Sequence, residues 1–261
     1  MEIDLSLTYI VVIFALGFIG SFISGMLGVG GSIIKYPMLL YMPSLFGLVA
    51  FSAHEVSGIS AVQVFFASIA GVWAYRKSDL LHKELIVYMG GAILIGSFIG
   101  SYGSGFLSEN AVNIVYGLLA VIAAVMMFIP RKQVEHTVTI TFNKLLAASL
   151  ALIVGVASGV VGAAGGFLLV PILLTVLKIP TRVTIATSLA ITFISSIGGS
   201  VGKVMTGQVE YWPAFLMIIA SIIAAPLGAK IGQKMNVKLL QTLLAVMIAG
   251  TAVKIWWDIL L

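Results

Sequence analysis

The chain is built from long apolar runs parted by short polar interruptions. The runs fall at about 8–28, 32–46, 52–75, 83–103 and 110–129, and then at about 142–162, 164–178, 183–203, 211–230 and 238–257. A bilayer-spanning helix needs roughly 20 apolar residues, and all but two of these runs approach or exceed that length. The two exceptions, beginning at Ser32 and Gly166, are too short to span and read as half-helices. Strands of a membrane barrel would alternate polar and apolar over about ten residues. These runs are continuous, so the pattern predicts an all-α polytopic membrane protein.

Each half-helix follows a glycine-rich break, and the two breaks nearly copy each other. The first reads Ser24-Gly25-Met26-Leu27-Gly28-Val29-Gly30-Gly31-Ser32, with Pro37 beyond it. The second reads Ser158-Gly159-Val160-Val161-Gly162-Ala163-Ala164-Gly165-Gly166, with Pro171 beyond it. Ser24, Gly25, Gly28, Gly31 and Pro37 recur at a constant offset of 134. From the next helix onward the offset is 128, pairing Ser60 with Ser188, Gly71 with Gly199, Gly100 with Gly228, Leu107 with Met235 and Asn113 with Gln241. The pattern predicts an internal duplication of five apolar pieces per copy. It divides the chain into a first transmembrane repeat over 1–130, a cytoplasmic linker over 131–141 and a second repeat over 142–261.

Positive charge orients the pieces. Each break is taken as the tip of a re-entrant hairpin that returns to its own side, and acidic Glu2 and Asp4 start outside. Arg76, Lys77, Lys83, Arg131, Lys132, Lys144, Lys178, Arg182, Lys230, Lys234 and Lys238 then fall inside, against Lys203 and Lys254 outside. Lys35 is left within a hairpin. Eleven inside against two outside satisfies the positive-inside rule. Both termini are expected outside the plasma (inner) membrane. Each copy contributes a hairpin plus three crossings, so the second copy is inverted. Broken helices in inverted repeats are a recurrent transporter plan. One tension is geometric: run 8–28 is long enough to cross the whole bilayer, so it must tilt or begin well outside.

Composition closes off other classes. The chain of 261 residues is 61% hydrophobic and 9% charged, with a mean hydropathy of +1.18. Soluble domains carry about 25% charged residues. The basic pI near 9.4 reflects loop cations placed by topology rather than a nucleic-acid surface. There is no cysteine, and three scattered histidines make no metal-ligand spacing. No Walker-type Gly-Lys-Ser/Thr occurs in a loop, which argues against ATP hydrolysis. The N-terminus lacks the basic region and cleavage site of a signal peptide.

The breaks are the first candidate chemistry. Helix N-termini expose unpaired N–H groups and partial positive charge, which suit anions. Half-helices opening after Gly28, Gly30, Gly31 and Ser32, and after Gly162, Gly165 and Gly166, would present two such ends near mid-membrane. Tight helix packing is the alternative use of these glycines, and the favoured use of Gly96 and Gly100. Lys35 lies one turn past the first tip, where a charge costs ~2.5–3.5 kcal/mol on insertion scales. An anionic substrate would offset that cost; snorkelling is the other outlet. Ser57, Ser60 and Gln63 make one polar helix face, with Thr187, Ser188 and Thr192 as a second set. Such groups can donate to the oxygens of an anion or bond between helices. His54 and Glu55, at the outer mouth, can relay protons or simply end a helix in solvent. Trp212, Trp256 and Trp257 read as interfacial anchors.

These residues resemble the sulfite exporter TauE/SafE family over nearly the whole chain. The resemblance is carried by the paired breaks Ser24 to Pro37 and Ser158 to Pro171, and by Ser57-Gly58-Ile59-Ser60-Ala61-Val62-Gln63. Its counterpart Ile185-Ala186-Thr187-Ser188-Leu189 and the repeated Gly100 and Gly228 add to it. The resemblance implies export of a small anion, chiefly sulfite or an organosulfonate such as sulfoacetate, across the plasma membrane. The copies depart from symmetry where Gly30 faces Ala164, Ser32 faces Gly166 and Lys35 faces Leu169.

The expectation is a secondary transporter with the anion between two hairpin tips. No enzymatic activity, catalytic residue, metal, cofactor or nucleic-acid partner is expected. Lipid is the surrounding partner, and the plan leaves room for a homodimer. The alternatives are an anion channel, a carrier of another small anion or of a cation, and a membrane-embedded enzyme or assembly factor. Against a cation, no Asp or Glu lies deep in any run. Against an enzyme, the titratable groups are too few.

Overall fold

A computed structural model describes residues 6–28, 32–128, 140 and 142–260. The described residues form ten α-helices and a short 3-10 turn. The first half supplies α1 (Leu7–Leu27), α2 (Ser32–Leu45), α3 (Ala53–Tyr75), α4 (Lys83–Gly103) and α5 (Glu109–Phe128), with the turn Ser104–Phe106 after α4. The second supplies α6 (Lys144–Val161), α7 (Gly166–Thr175), α8 (Thr181–Met205), α9 (Tyr211–Lys234) and α10 (Val237–Leu260). Seven of the helices are long and apolar enough to cross a membrane, and α7 is among the shorter apolar ones. Gly30, Gly31 and nearly all of the linker lie outside the described residues.

Local chemistry explains most boundaries. Ser52 and Glu55 make a reciprocal capping box at the start of α3, so Glu55 satisfies backbone donors there. The Ser6 hydroxyl caps α1 and the Asn143 side chain caps α6. α1 and α6 each end at a left-handed glycine, Gly28 at φ 74° and Gly162 at φ 71°. A residue with a Cβ is strained in that conformation, and glycine is not.

The long helices cross between the two halves. α3 and α8 lie against each other in antiparallel order. The Ser200 hydroxyl donates to Ala61 O (3.0 Å), Phe65 meets Phe193, and Gly71 faces Leu189. α1 runs parallel to α9, and α4 runs parallel to α6. In both pairs, glycines bring backbones into direct contact. A Cβ on Gly100 would lie 1.9 Å from Val156 O, and one on Gly228 would lie 1.9 Å from Phe22 O. Val156 and Phe22 are themselves related by the offset of 134. Small residues allow this close approach where water exclusion drives nothing.

Polarity is turned inside out. The surface carries aliphatic side chains such as Val87, Ile95, Ile99, Ile122, Ile153 and Ile222. The interior holds serine and threonine hydroxyls from α1, α3, α4, α6, α8 and α9, among them Ser21, Ser57, Ser97, Ser158, Ser188 and Ser221. Trp257 is exposed, whereas the Trp256 indole donates to Gly117 O on α5 (3.2 Å). Trp256 is therefore a packing contact between α10 and α5.

Candidate functional site

Among the described residues two lysines are fully buried, and each is held by a glutamine. Lys35 stands one turn into α2, and its alkyl stem lies over Gly20 of α1. The ammonium donates to Gln63 Oε1 on α3. The Gln63 amide donates to the hydroxyls of Ser21 on α1 (2.6 Å) and Ser221 on α9 (2.5 Å). The Ser21 hydroxyl donates on to Ser221 (3.0 Å), which donates to Met217 O (2.5 Å). Both amide hydrogens and both hydroxyl hydrogens are thereby used, which fixes the amide's orientation. Four helices meet at this one cluster.

An ammonium has three donors. Among the described residues, Lys35 uses one of them and has no carboxylate partner. The ion pair Lys144–Glu84 (3.4 Å) lies elsewhere, at an exposed surface. A buried charge without a counter-charge is costly in lipid. One helical turn along α3 from Gln63, the Ser60 hydroxyl is also buried and has no hydrogen-bond partner. Buried polar groups are nearly always satisfied, so Ser60 and the spare donors of Lys35 mark unfilled capacity.

Lys203 is the second buried lysine, in the last turn of α8. Sequence reading counts it as an outer loop charge; the structure turns it inward. Its ammonium lies within hydrogen-bond distance of Ser57 Oγ (2.7 Å), Ser104 Oγ (2.7 Å), Val160 O (2.8 Å) and Gln208 Oε1 (2.8 Å), four acceptors that share its three N–H donors. The Gln208 amide donates to the hydroxyls of Thr206 (2.9 Å) and Ser104 (3.2 Å). His54 Nδ1 reaches the same Gln208 oxygen (3.1 Å), and His54 Nε2 reaches Leu107 O (3.1 Å).

The breaks pack in a crossed fashion. Gly28, in the first half, sits against Ile185 at the start of α8, where a Cβ would be 2.7 Å from the Ile185 carbonyl oxygen. Gly162, in the second half, sits against Ser57 at the start of α3, where a Cβ would be 1.9 Å from the Ser57 carbonyl oxygen. Ser57 and Ile185 are related by the offset of 128. At the second break Gly162, Ala164 and Gly165 all have positive φ, and α7 then opens at Gly166 with no side-chain cap.

The predicted residues therefore separate. Lys35 meets Gln63 at one end of the α3 polar face, Ser57 belongs to the Lys203 cluster at the other, and Ser60 lies between them. Thr187 binds the loop before α4, donating to Leu80 O (3.3 Å) and accepting from His82 N (3.1 Å). Ser188 donates to Gly28 O (2.7 Å). Both are engaged with backbone. Ser32 opens α2. Sequence reading missed Ser21, Ser221, Ser104, Gln208 and the inward turn of Lys203. Single serines inside apolar runs carry no signal, and the end of a run does not say which way a lysine points.

Apolar helices long enough to span a bilayer, an aliphatic exterior and a polar interior define a multi-pass helical membrane protein. The chain belongs to the sulfite exporter TauE/SafE family, which matches it over residues 13–255. It is 25% identical to the probable membrane transporter protein YunE of Bacillus subtilis over 228 residues, covering 80% of this chain and 83% of that protein. A probable membrane transporter protein of Xylella fastidiosa is 31% identical over 179 residues, covering 66% of this chain and 65% of that one. The probable membrane transporter protein MJ0441 of Methanocaldococcus jannaschii is 26% identical, with 75% and 72% covered. No solved structure matches the chain.

Proposed function

We propose that the protein is a secondary transporter that exports a small sulfur oxyanion, sulfite or an organosulfonate such as sulfoacetate, across the plasma membrane. The observation that carries this reading is Lys35: a fully buried ammonium with a neutral amide as its described partner and no described carboxylate beside it. A cation so placed gains most from an anion that brings both charge and acceptor oxygens. The oxyanion takes the free donors of Lys35 and the hydroxyl of Ser60. The glycine-rich tips add backbone N–H groups. Successive residues of mixed handedness, as at Gly162 to Gly165, turn such groups toward one point. The family's description as sulfite exporters supports the substrate class.

The same reading takes the halves as inverted repeats, each a broken re-entrant hairpin plus three crossings. The antiparallel course of α3 and α8 supports it, because these helices correspond at an offset of 128. So does the crossed packing of Gly28 and Gly162. Alternating access then exposes the Lys35 site to one side at a time. Sulfite efflux from proteoliposomes tests the function. Saturable efflux that Lys35→Ala abolishes is the expected outcome. Non-saturating conductance would instead mean a channel, and wild-type efflux in Lys35→Ala would remove the anion from this site.

A further inference from the structure

The two lysine clusters contain the same chemical groups. In each, a lysine ammonium donates to a glutamine oxygen, and that glutamine's nitrogen donates to two hydroxyls. Duplication does not explain this match. At the offsets that relate the halves, Lys203 corresponds to Tyr75 and Lys35 to Leu169. The same set has arisen at two unrelated positions, which points to a shared task.

One helix joins the clusters. Ser57 of α3 binds Lys203 and Gln63 of α3 binds Lys35. Six residues separate them, or about 9 Å along the axis. Ser60 lies midway on that face with its hydroxyl buried and unpartnered. All four groups around Lys203 are neutral oxygens. An anionic acceptor adds Coulomb attraction to the hydrogen bond that a neutral oxygen offers an ammonium, so an arriving oxyanion displaces them. The Lys203 cluster continues through Gln208 to half-buried His54 and the loop at Leu107, so it lies at the end of α3 where the chain reaches the surface.

Resting on the oxyanion reading above, we infer that Lys203 is a second oxyanion station, with Ser60 the step between it and Lys35. Two buried ammoniums along one helix let an anion leave one positive charge only as it meets the next. The four neutral ligands hold Lys203 while the station is empty.

Equilibrium binding of radiolabelled sulfite to purified full-length protein tests the inference by stoichiometry. Two anions per chain are expected at saturation, with one lost in Lys203→Met and the other lost in Lys35→Met. Removing Lys203 should also slow efflux about tenfold or more, the worth of a charged hydrogen bond, and Lys203→Arg should restore part of it. One anion per wild-type chain, kept in Lys203→Met and lost in Lys35→Met, overturns the second station and leaves the Lys35 site standing. Two anions that both persist in Lys35→Met would instead overturn the reading of Lys35. The wild-type count needs no variant, so a misfolded Lys203→Met does not blunt the test.

Discussion

His54 and Arg182 stand at equivalent places in the two halves and reach equivalent carbonyls. They are 128 residues apart, as are the acceptors Leu107 and Met235. His54 Nε2 lies 3.1 Å from Leu107 O, and Arg182 Nη2 lies 3.3 Å from Met235 O. Each side chain pins the loop after one long helix to the start of another. Arg182 adds a second bond to Gln233 O, a fork that imidazole cannot reproduce. His54→Ala should therefore unpin the Leu107 loop and cost about 1 kcal/mol. Faster amide hydrogen exchange confined to 104–108 would report it. Unchanged exchange there would show that the bond holds nothing.

Lys35→Ala should weaken sulfite binding about ten- to a hundredfold, the worth of a hydrogen bond to a charged group. Ser60→Ala should cost less, because it removes one neutral donor and leaves no unsatisfied partner behind. A calorimetric titration of the two variants gives the ratio. Equal affinity in wild type and Lys35→Ala would sink the site.

Gly162→Ala should destabilise the fold by about 1–3 kcal/mol through left-handed strain, and by more through the contact with Ser57 O. Gly47→Ala is the matched control. Gly47 is also left-handed, at φ 73°, but a Cβ there meets nothing within 4 Å. Comparing melting temperatures in detergent separates backbone strain from the packing of the break.

Gly100→Ala should separate α4 from α6, since its Cβ would meet Val156 O at 1.9 Å. Gly91→Ala, on the same helix with nothing within 4 Å, should be neutral or slightly stabilising, because alanine favours helix by about 1 kcal/mol. Equal stability of the two variants would rule out backbone contact as the glue between these helices.

Because the chain has no cysteine, single introduced thiols report topology directly. Ser78→Cys, after α3, should react with an impermeant reagent from the cytoplasmic side. Ser108→Cys, after α4, should react from the opposite side. Labelling of both from one side would refute the arrangement of crossings.

The sequence made the helices legible because lipid demands long continuous apolar runs. The run at 53–75 and the half-helix at 166–175 sit within a few residues of where hydropathy places them. The breaks were legible because a repeated glycine pattern marks a repeated backbone need. Lys35 stood out as a charge in an apolar segment. The partners of that lysine were not legible. Ser21 and Ser221 come from helices 200 residues apart, and only packing shows that they flank one amide. Lys203 was misplaced because hydropathy reports depth along a helix but not the direction around it. Thr187 and Ser188 looked like Ser57 and Ser60, yet the two threonine and serine hydroxyls of α8 bind neighbouring backbone. Composition cannot distinguish a hydroxyl that waits for a ligand from one that clamps a loop.

The glycine contacts also decide which parts of the molecule travel together. Where backbone touches backbone, as between α1 and α9 or between α4 and α6, no rotamer can yield and the pair shifts as a single beam. Each beam takes one helix from either half of the chain. The closely packed units of the fold are therefore not its two halves but two hybrids of them.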